Sequence, residues 1–281
     1  AVDIAPVHSL VAQVMEGVGV PDLIIQSGAT PHEYSLRPSE ATALQNADLV
    51  FWVGPDLTPW LAEALETLAP AAVLTSLLEV DGTIQLEFRE DALFEAHDHS
   101  DHDDHDDHGA HDPHAWLSPK NAMTWLDVIA GRLSAVDPIN SDAYLANAAS
   151  GRAAIEALIE EVEATLDPVR GREFIVFHDA YQYFETDFDF AASGAISVSD
   201  ASDPSPARIA EIRGQVAEHG VVCVLAEPQF NPGLVATVLK GSDAQMGIVD
   251  PLGSDLELGS KLYPQLIRHL TAALVRCLHD Q

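Results

Sequence analysis

Residues 140–166 read NSDAYLANAASGRAAIEALIEEVEATL, and Asp167-Pro168 follows. Ala, Glu, Leu and Ile dominate the run, and the proline ends it, because the residue before a proline is pushed out of the α region. This predicts one helix about 40 Å long, at 1.5 Å per residue. Placed mid-chain, a helix of that length can tie two lobes together. The other reading is an ordinary amphipathic helix on one domain.

Both flanks alternate strand and helix. Before the long helix, Val2–Val7, Asp22–Gln26, Leu49–Val53 and Ala71–Leu74 read as strands, with Leu10–Val18, Pro38–Gln45 and Pro59–Leu68 as helices. A hairpin is expected from Glu79–Val80 and Thr83–Phe88 around Asp81-Gly82. Ser118-Pro119 then opens a helix through Leu133, with Ser118 as N-cap and Pro119 at its first position. After the long helix, Glu173–Phe177, Ala195–Val198, Val221–Leu225 and Gly247–Val249 read as strands, and Pro206–His219, Pro232–Gly241 and Lys261–His279 as helices. Such alternation with short connections implies βαβ units and mostly parallel sheets. The expected fold is α/β: an N-terminal lobe (residues 1–139), a connecting helix (140–168) and a C-terminal lobe (169–281). A site would lie in the cleft between lobes, beyond strand C-termini.

Residues 97–114, HDHSDHDDHDDHGAHDPH, carry seven of the 13 His and seven Asp, with no Lys or Arg. The stretch has no helix or strand periodicity. Neutral imidazole suits Zn, Cu, Ni and Co, and the surrounding carboxylates concentrate cations. A solvated acidic loop with incidental His is the plainer alternative. The interruption by Asp and the internal position argue against a purification tag.

Net charge is -32, from 45 acidic against 13 basic residues. This argues against nucleic acid and anionic membrane surfaces as partners and favours cations. With 47% apolar and 21% charged residues, a sizeable core is expected. No run of about 18 apolar residues offers a transmembrane helix. The start at Ala1-Val2-Asp3 fits a mature exported chain cut from its signal peptide, and equally an expression product. Cys223 and Cys277 lack CxxC spacing, which argues against a redox motif or a Cys-based zinc site. In an oxidising compartment they could pair; two separate buried thiols is the other reading.

Four residues sit where an α/β cleft would collect them. His32 lies in GATPHEYSLRPSE, after an expected strand. His178 in IVFHDAYQYFE and Asp250 in MGIVDPLG end apolar strands, and His114 in DPHAWLSP precedes a helix. Three neutral imidazoles and one oxygen make a tetrahedral site suited to Zn²⁺.

The strings PVHSLVAQVMEGVG, GATPHEYSLRPSE, DPHAWLSPKNA, FHDAYQYFE, ISVSDASDPSPARI, VVCVLAEPQFN and VDPLG span nearly the whole chain. They closely resemble the periplasmic zinc-binding proteins of zinc ABC importers, the ZnuA-type members of the cluster A-I (cluster 9) solute-binding proteins. The resemblance implies two α/β lobes, a rigid connecting helix, one metal in the interlobe cleft and an acidic His-rich loop beside it. The ligand His of the PHxYxLRPS, HxWLSP and FHDAYxYF segments fall on His32, His114 and His178. The Asp of the DPLG segment falls on Asp250, and the paired cysteines on Cys223 and Cys277. The resemblance further implies periplasmic Zn²⁺ capture by a monomer, delivery to a membrane permease, and a periplasmic zinc chaperone as a further candidate partner. His97, His99, His102, His105, His108 and His111 become secondary, weaker metal ligands.

Some zinc members carry Glu directly before the first ligand His, where this chain has Pro31. The fourth ligand is then Asp250, water or a loop residue. Manganese relatives usually carry a carboxylate at the position of His178, so three His favour Zn²⁺. A hydrolytic zinc enzyme and an adhesin-like metal-sequestering surface protein are the competing functions. No HExxH motif supports the first, so a non-enzyme is expected.

Overall fold

The computed structural model describes residues 1–89, 94, 111–197, 204–218, 220–230 and 232–279. The first residues depart from their pattern. Val2 makes only single parallel bridges, to Leu23 and to Phe51, and the chain then turns into α1 (Ala5–Val14). The expected strand Val2–Val7 fails because Pro6 has no N–H for a ladder and is at home in a first helical turn. Asp3 completes the switch: its carboxylate accepts the Ile4 and Val53 N–H groups, both at 2.7 Å. Burial pushes this carboxyl up to about 7. The expected strand Asp22–Gln26 is likewise reduced to an extended segment, bonded to Val2 and Asp3 through Ile24 and Ile25.

The next elements are α2 (Pro38–Gln45), β1 (Leu49–Trp52), α3 (Pro59–Leu68) and β2 (Val73–Ser76). β1 and β2 pair in parallel, in register from Leu49↔Val73. The expected hairpin does not form. Asn121 takes both backbone groups of Ile84, and Glu87 instead bridges antiparallel to His111. Helix α4 (Pro119–Val136) then starts as expected, with Ser118 Oγ accepting the Asn121 N–H at 3.0 Å.

The long helix is α5 (Ser141–Leu166), 26 residues. Its buried residues Tyr144, Ala148, Gly151, Ile155, Leu158, Val162 and Leu166 recur every three or four positions, a single helical stripe. The stripe faces α1, α4 and the last helix. A Cβ at Gly151 would stand 3.0 Å from Leu126 and 3.1 Å from Gln13. Glycine there costs about 1 kcal/mol of helix propensity against alanine but lets α5 approach α4.

Beyond α5 lie β3 (Phe174–His178), α6 (Gln182–Phe188), β4 (Gly194–Ser197), α7 (Pro206–Glu218), β5 (Cys223–Ala226), α8 (Pro232–Leu239), β6 (Gln245–Ile248) and α9 (Leu262–His279). The four strands form one parallel sheet in the order β4-β3-β5-β6. Both its faces are covered, as parallel sheets require. Phe174, Val176, Cys223 and Leu225 join the main core. Ile175, Phe177, Val224 and Ala226 pack on Ile212, Val216, Val235 and Val238. Cys223 is bonded to Cys277, tying β5 to α9 with 5.6 Å between their Cα atoms. Gly247 leaves room for this bridge: a Cβ there would sit 3.0 Å from that of Cys277.

Candidate metal centre

The strand order places a switch point between β3 and β5: the chain leaves β3 for β4 on one side and returns to β5 on the other. Crevices beyond the carboxyl ends of strands at such points collect ligands. His178 is the last residue of β3. Val176 pairs with Leu225, so two residues further on His178 stands beside Glu227, just past β5. The register thus delivers the closest contact of the site: His178 Nδ1 to Glu227 Oε1, 2.6 Å. Both residues are buried, at 4% and 5% exposure. Burial, reinforced by the Glu227 charge, holds the neighbouring Tyr181 phenol well above its usual pKa.

His114 comes from the other side, just before the short 3₁₀ turn Ala115–Leu117 that leads into α4. Asp112 holds it twice. Its Oδ1 accepts the His114 backbone N–H at 3.0 Å and lies 2.7 Å from His114 Nδ1. Asp112 is 1% exposed and is itself pinned by its N–H to the Leu86 carbonyl at 2.8 Å.

A carboxylate on Nδ1 favours the Nδ1–H tautomer, the form in which Nε2 is the metal-binding nitrogen. The two Nε2 atoms face each other at 3.3 Å. His32 lines the same cavity with His114, Trp116, His178, Glu227 and Gln229 among its neighbours. Its ring centroid is 6.1 Å from that of His114. The loop carrying it is fixed from behind: Trp60 Nε1 donates to the Pro31 carbonyl at 2.8 Å, Tyr34 packs on Trp60, and the Tyr34 hydroxyl donates to Glu40. Pro31 therefore serves as a backbone anchor.

Among the described residues, no three His, Cys, Asp or Glu side chains are already drawn together as a metal-holding group. Asp250 does not line the cavity. Its carboxylate accepts from Gln229 Nε2, the Leu252 and Ser254 N–H groups and the Ser254 hydroxyl. Four donors close the turn after β6 around it. The DPLG motif singles this aspartate out, but its partners are the turn and Gln229. His111 is half-buried, donates its N–H to Asp56 at 3.2 Å and stays outside the cavity. His97, His99, His102, His105 and His108 lie outside the described residues. Asp112 and Glu227 are not picked out by the sequence motifs. The available signals are the Asp two residues before His114 and the Glu just past an apolar strand.

A parallel-sheet switch point with an imidazole-lined crevice, in a chain that also carries a 26-residue helix, belongs to an α/β fold that solved metal-binding proteins share. A crystal structure of ZnuA superposes with a TM-score of 0.80 at 23% identity, covering 98% of this chain and 97% of that one. A periplasmic metal-binding protein from Candidatus Liberibacter asiaticus gives 0.81 at 20%, covering 99% and 98%. The laminin-binding adhesin Lmb from Streptococcus agalactiae, as a mutant, gives 0.80 at 24%, covering 99% and 98%. These likenesses establish the fold. Sequence goes further. The family described as "ZnuA: Zinc-uptake complex component A periplasmic" matches residues 1–277. The high-affinity zinc uptake system protein ZnuA of Brucella abortus (strain 2308) is 44% identical, over 99% of this chain and 90% of the relative. That of Paracoccus denitrificans (strain Pd 1222) is 42% identical over 98% and 90%, and that of Yersinia pestis 34% over 98% and 89%. The chain belongs to the ZnuA family.

Proposed function

We propose that the chain captures Zn²⁺ in the periplasm and hands it to the membrane permease of a zinc ABC importer. The observation that carries this reading is the pair of Nε2 atoms 3.3 Å apart, on rings whose Nδ1 atoms are taken by buried carboxylates. Two nitrogens of a tetrahedral zinc site, each 2.0–2.1 Å from the metal, stand about 3.3–3.4 Å apart. The pair is one edge of that tetrahedron before any ion arrives. His32 is the third ligand, reached by a small movement of its loop, and water is the fourth because Asp250 is engaged elsewhere. Membership of the zinc-uptake family supports the same cargo.

Zinc here is cargo, held and released by coordination alone, so the chain acts as a carrier and not an enzyme. Residues 1–139 and 169–281 form the two lobes, and 140–168 the connecting helix. The His of the segment 97–111 take further zinc weakly, since each must order chain to bind. The adhesin alternative shares the fold at 24% identity, but relatives 44% and 42% identical carry zinc-uptake names.

Zinc titration of the metal-free chain against a competing chelator tests this. One tight equivalent is expected, weakened at least ~100-fold in His178→Ala, with weaker equivalents removed by deletion of residues 97–110. Unchanged affinity in His178→Ala sinks the ligand assignment.

A further inference from the structure

Arg89 is one of only 13 basic residues in a chain of net charge -32, and it is spent on a contact the zinc site does not use. Its guanidinium forks onto Asp179, with Nε 2.9 Å from Oδ2 and 3.1 Å from Oδ1 and a further contact from Nη2. Nη1 reaches Glu185 Oε2 at 2.7 Å. All three side chains are largely buried, at 18%, 6% and 5% exposure. The Phe94 ring lies 3.5 Å from the guanidinium carbon, and the Phe94 N–H donates to the Ser193 carbonyl. Burial opposes the charge on Arg89, yet the two carboxylates outweigh it and raise its pKa above the ordinary arginine value.

The location gives this cluster its meaning. Asp179 directly follows His178, and Glu185 belongs to α6, the helix after the His178 turn. Arg89 lies on the strand-like segment entering the His/Asp stretch, and Asp112 on the segment leaving it. α6 holds both. Tyr183 Oη accepts the Leu86 N–H at 3.0 Å and donates to the Asp112 carbonyl at 2.7 Å. So the base of the His/Asp stretch and the His178 turn are bonded into one unit, 90 residues apart in sequence.

We propose that Arg89 is a positioning residue for zinc: through its fork on Asp179 and Glu185 it fixes the His178 turn against the base of the His/Asp stretch, so that His178 and His114 keep their mutual spacing. The role rests on the zinc-capture reading. A bidentate guanidinium sets direction as well as charge, which a point-charge ammonium does not. Removing Arg89 also leaves two buried carboxylates uncompensated beside the metal ligand.

The test compares Arg89→Met and Arg89→Lys in the full chain, by zinc dissociation into excess chelator and by the visible spectrum of the Co²⁺-loaded protein. Arg89→Met should release zinc at least ~10-fold faster, the scale seen when groups that orient ligands are lost. Its Co²⁺ bands should shift or weaken, and Arg89→Lys should recover part of both. Wild-type release and wild-type Co²⁺ bands in folded Arg89→Met overturn the proposal. If Arg89→Met does not fold, the neutral triple variant Arg89→Met/Asp179→Asn/Glu185→Gln replaces it: faster release with altered bands supports the role, and wild-type behaviour overturns it. Hydrogen exchange on the wild type closes the remaining gap. Residues 86–89 and the His178 turn should exchange as one unit, already protected in the metal-free protein, and fast exchange of residues 86–89 beside a protected turn overturns the coupling. A wild type that binds no zinc refutes the capture reading instead, which separates the two failures.

Discussion

His114 and His178 are gripped by their rings; His32 is placed by the backbone behind it. The first two are buried, each with a carboxylate on Nδ1 and Nε2 turned to the cavity. His32 is half-buried, on a loop steadied by Trp60 bonding to the neighbouring Pro31 carbonyl. The difference is one of preorganisation. A ring held at Nδ1 has its tautomer and direction settled before metal arrives, whereas the position of His32 is set through a loop whose backbone is anchored at Pro31. On the proposed reading, two ligands set through their rings and one set through its backbone suit a carrier that must both hold and release.

The widest break in this comparison is to remove the rings themselves. His178→Ala and His114→Ala should each cost at least ~100-fold in zinc affinity, no less than the upper range for losing a ligand's supporting partner. His32→Ala should cost about 10-fold less than either, since the fixed pair still offers one complete edge of the site. Competition titrations of the three variants give the order directly. Equal losses at all three positions would erase the distinction.

A sharper cut leaves the rings and removes their supports. Glu227→Gln and Asp112→Asn keep shape but surrender the charged acceptor on Nδ1, and each should weaken zinc about 10–100-fold. Trp60→Phe removes only the bond to the Pro31 carbonyl and should weaken zinc less than ~5-fold, a net hydrogen bond being worth about 0.5–1.5 kcal/mol. Isothermal or chelator-competition measurements on the three variants decide it. A Trp60→Phe loss as large as that of Glu227→Gln would mean that His32 is held as firmly as the others.

Legibility in the sequence follows the same divide between local pattern and long-range pairing. The long helix, Pro38–Gln45, Pro59–Leu68 and the capped start at Ser118 are readable because propensity, proline and capping act within a few residues. The four strands of the C-terminal sheet are readable, within a few residues, as short apolar runs. Val2–Val7 misleads because its apolar run outweighs Pro6 in the pattern but not in the fold. The hairpin misleads because Asn121, 37 residues away, claims the backbone of Ile84. Helix α6 escapes the pattern: at seven residues, rich in aromatics, it has too short a period to register. At the site, the three His are legible from motif and from strand ends. Their carboxylates depend on register, Val176 against Leu225, and Asp250 depends on a turn that only folding closes.

The smallest effect expected is on overall shape. α5 runs unbroken between its ends, and a continuous helix resists the hinge bending that multi-strand connectors allow. Buried bonds also cross between distant parts of the chain. Trp116 Nε1 donates to the Pro251 carbonyl at 2.8 Å, Tyr263 donates to the Trp116 carbonyl at 3.0 Å, and the Tyr263 N–H reaches Ser9 Oγ at 2.9 Å. Opening the molecule would strand such groups, at about 1–3 kcal/mol for each left unsatisfied. Solution scattering of metal-free and zinc-loaded protein should therefore give nearly coincident curves. Hydrogen exchange should locate the change in the loop around His32, with β3 and β5 already protected in the metal-free state. A clear fall in radius of gyration on zinc binding would show hinge closure. Equal new protection at the ends of β3 and β5 would show that His178 is no better prepared than His32, and the contrast between gripped and carried ligands would fail.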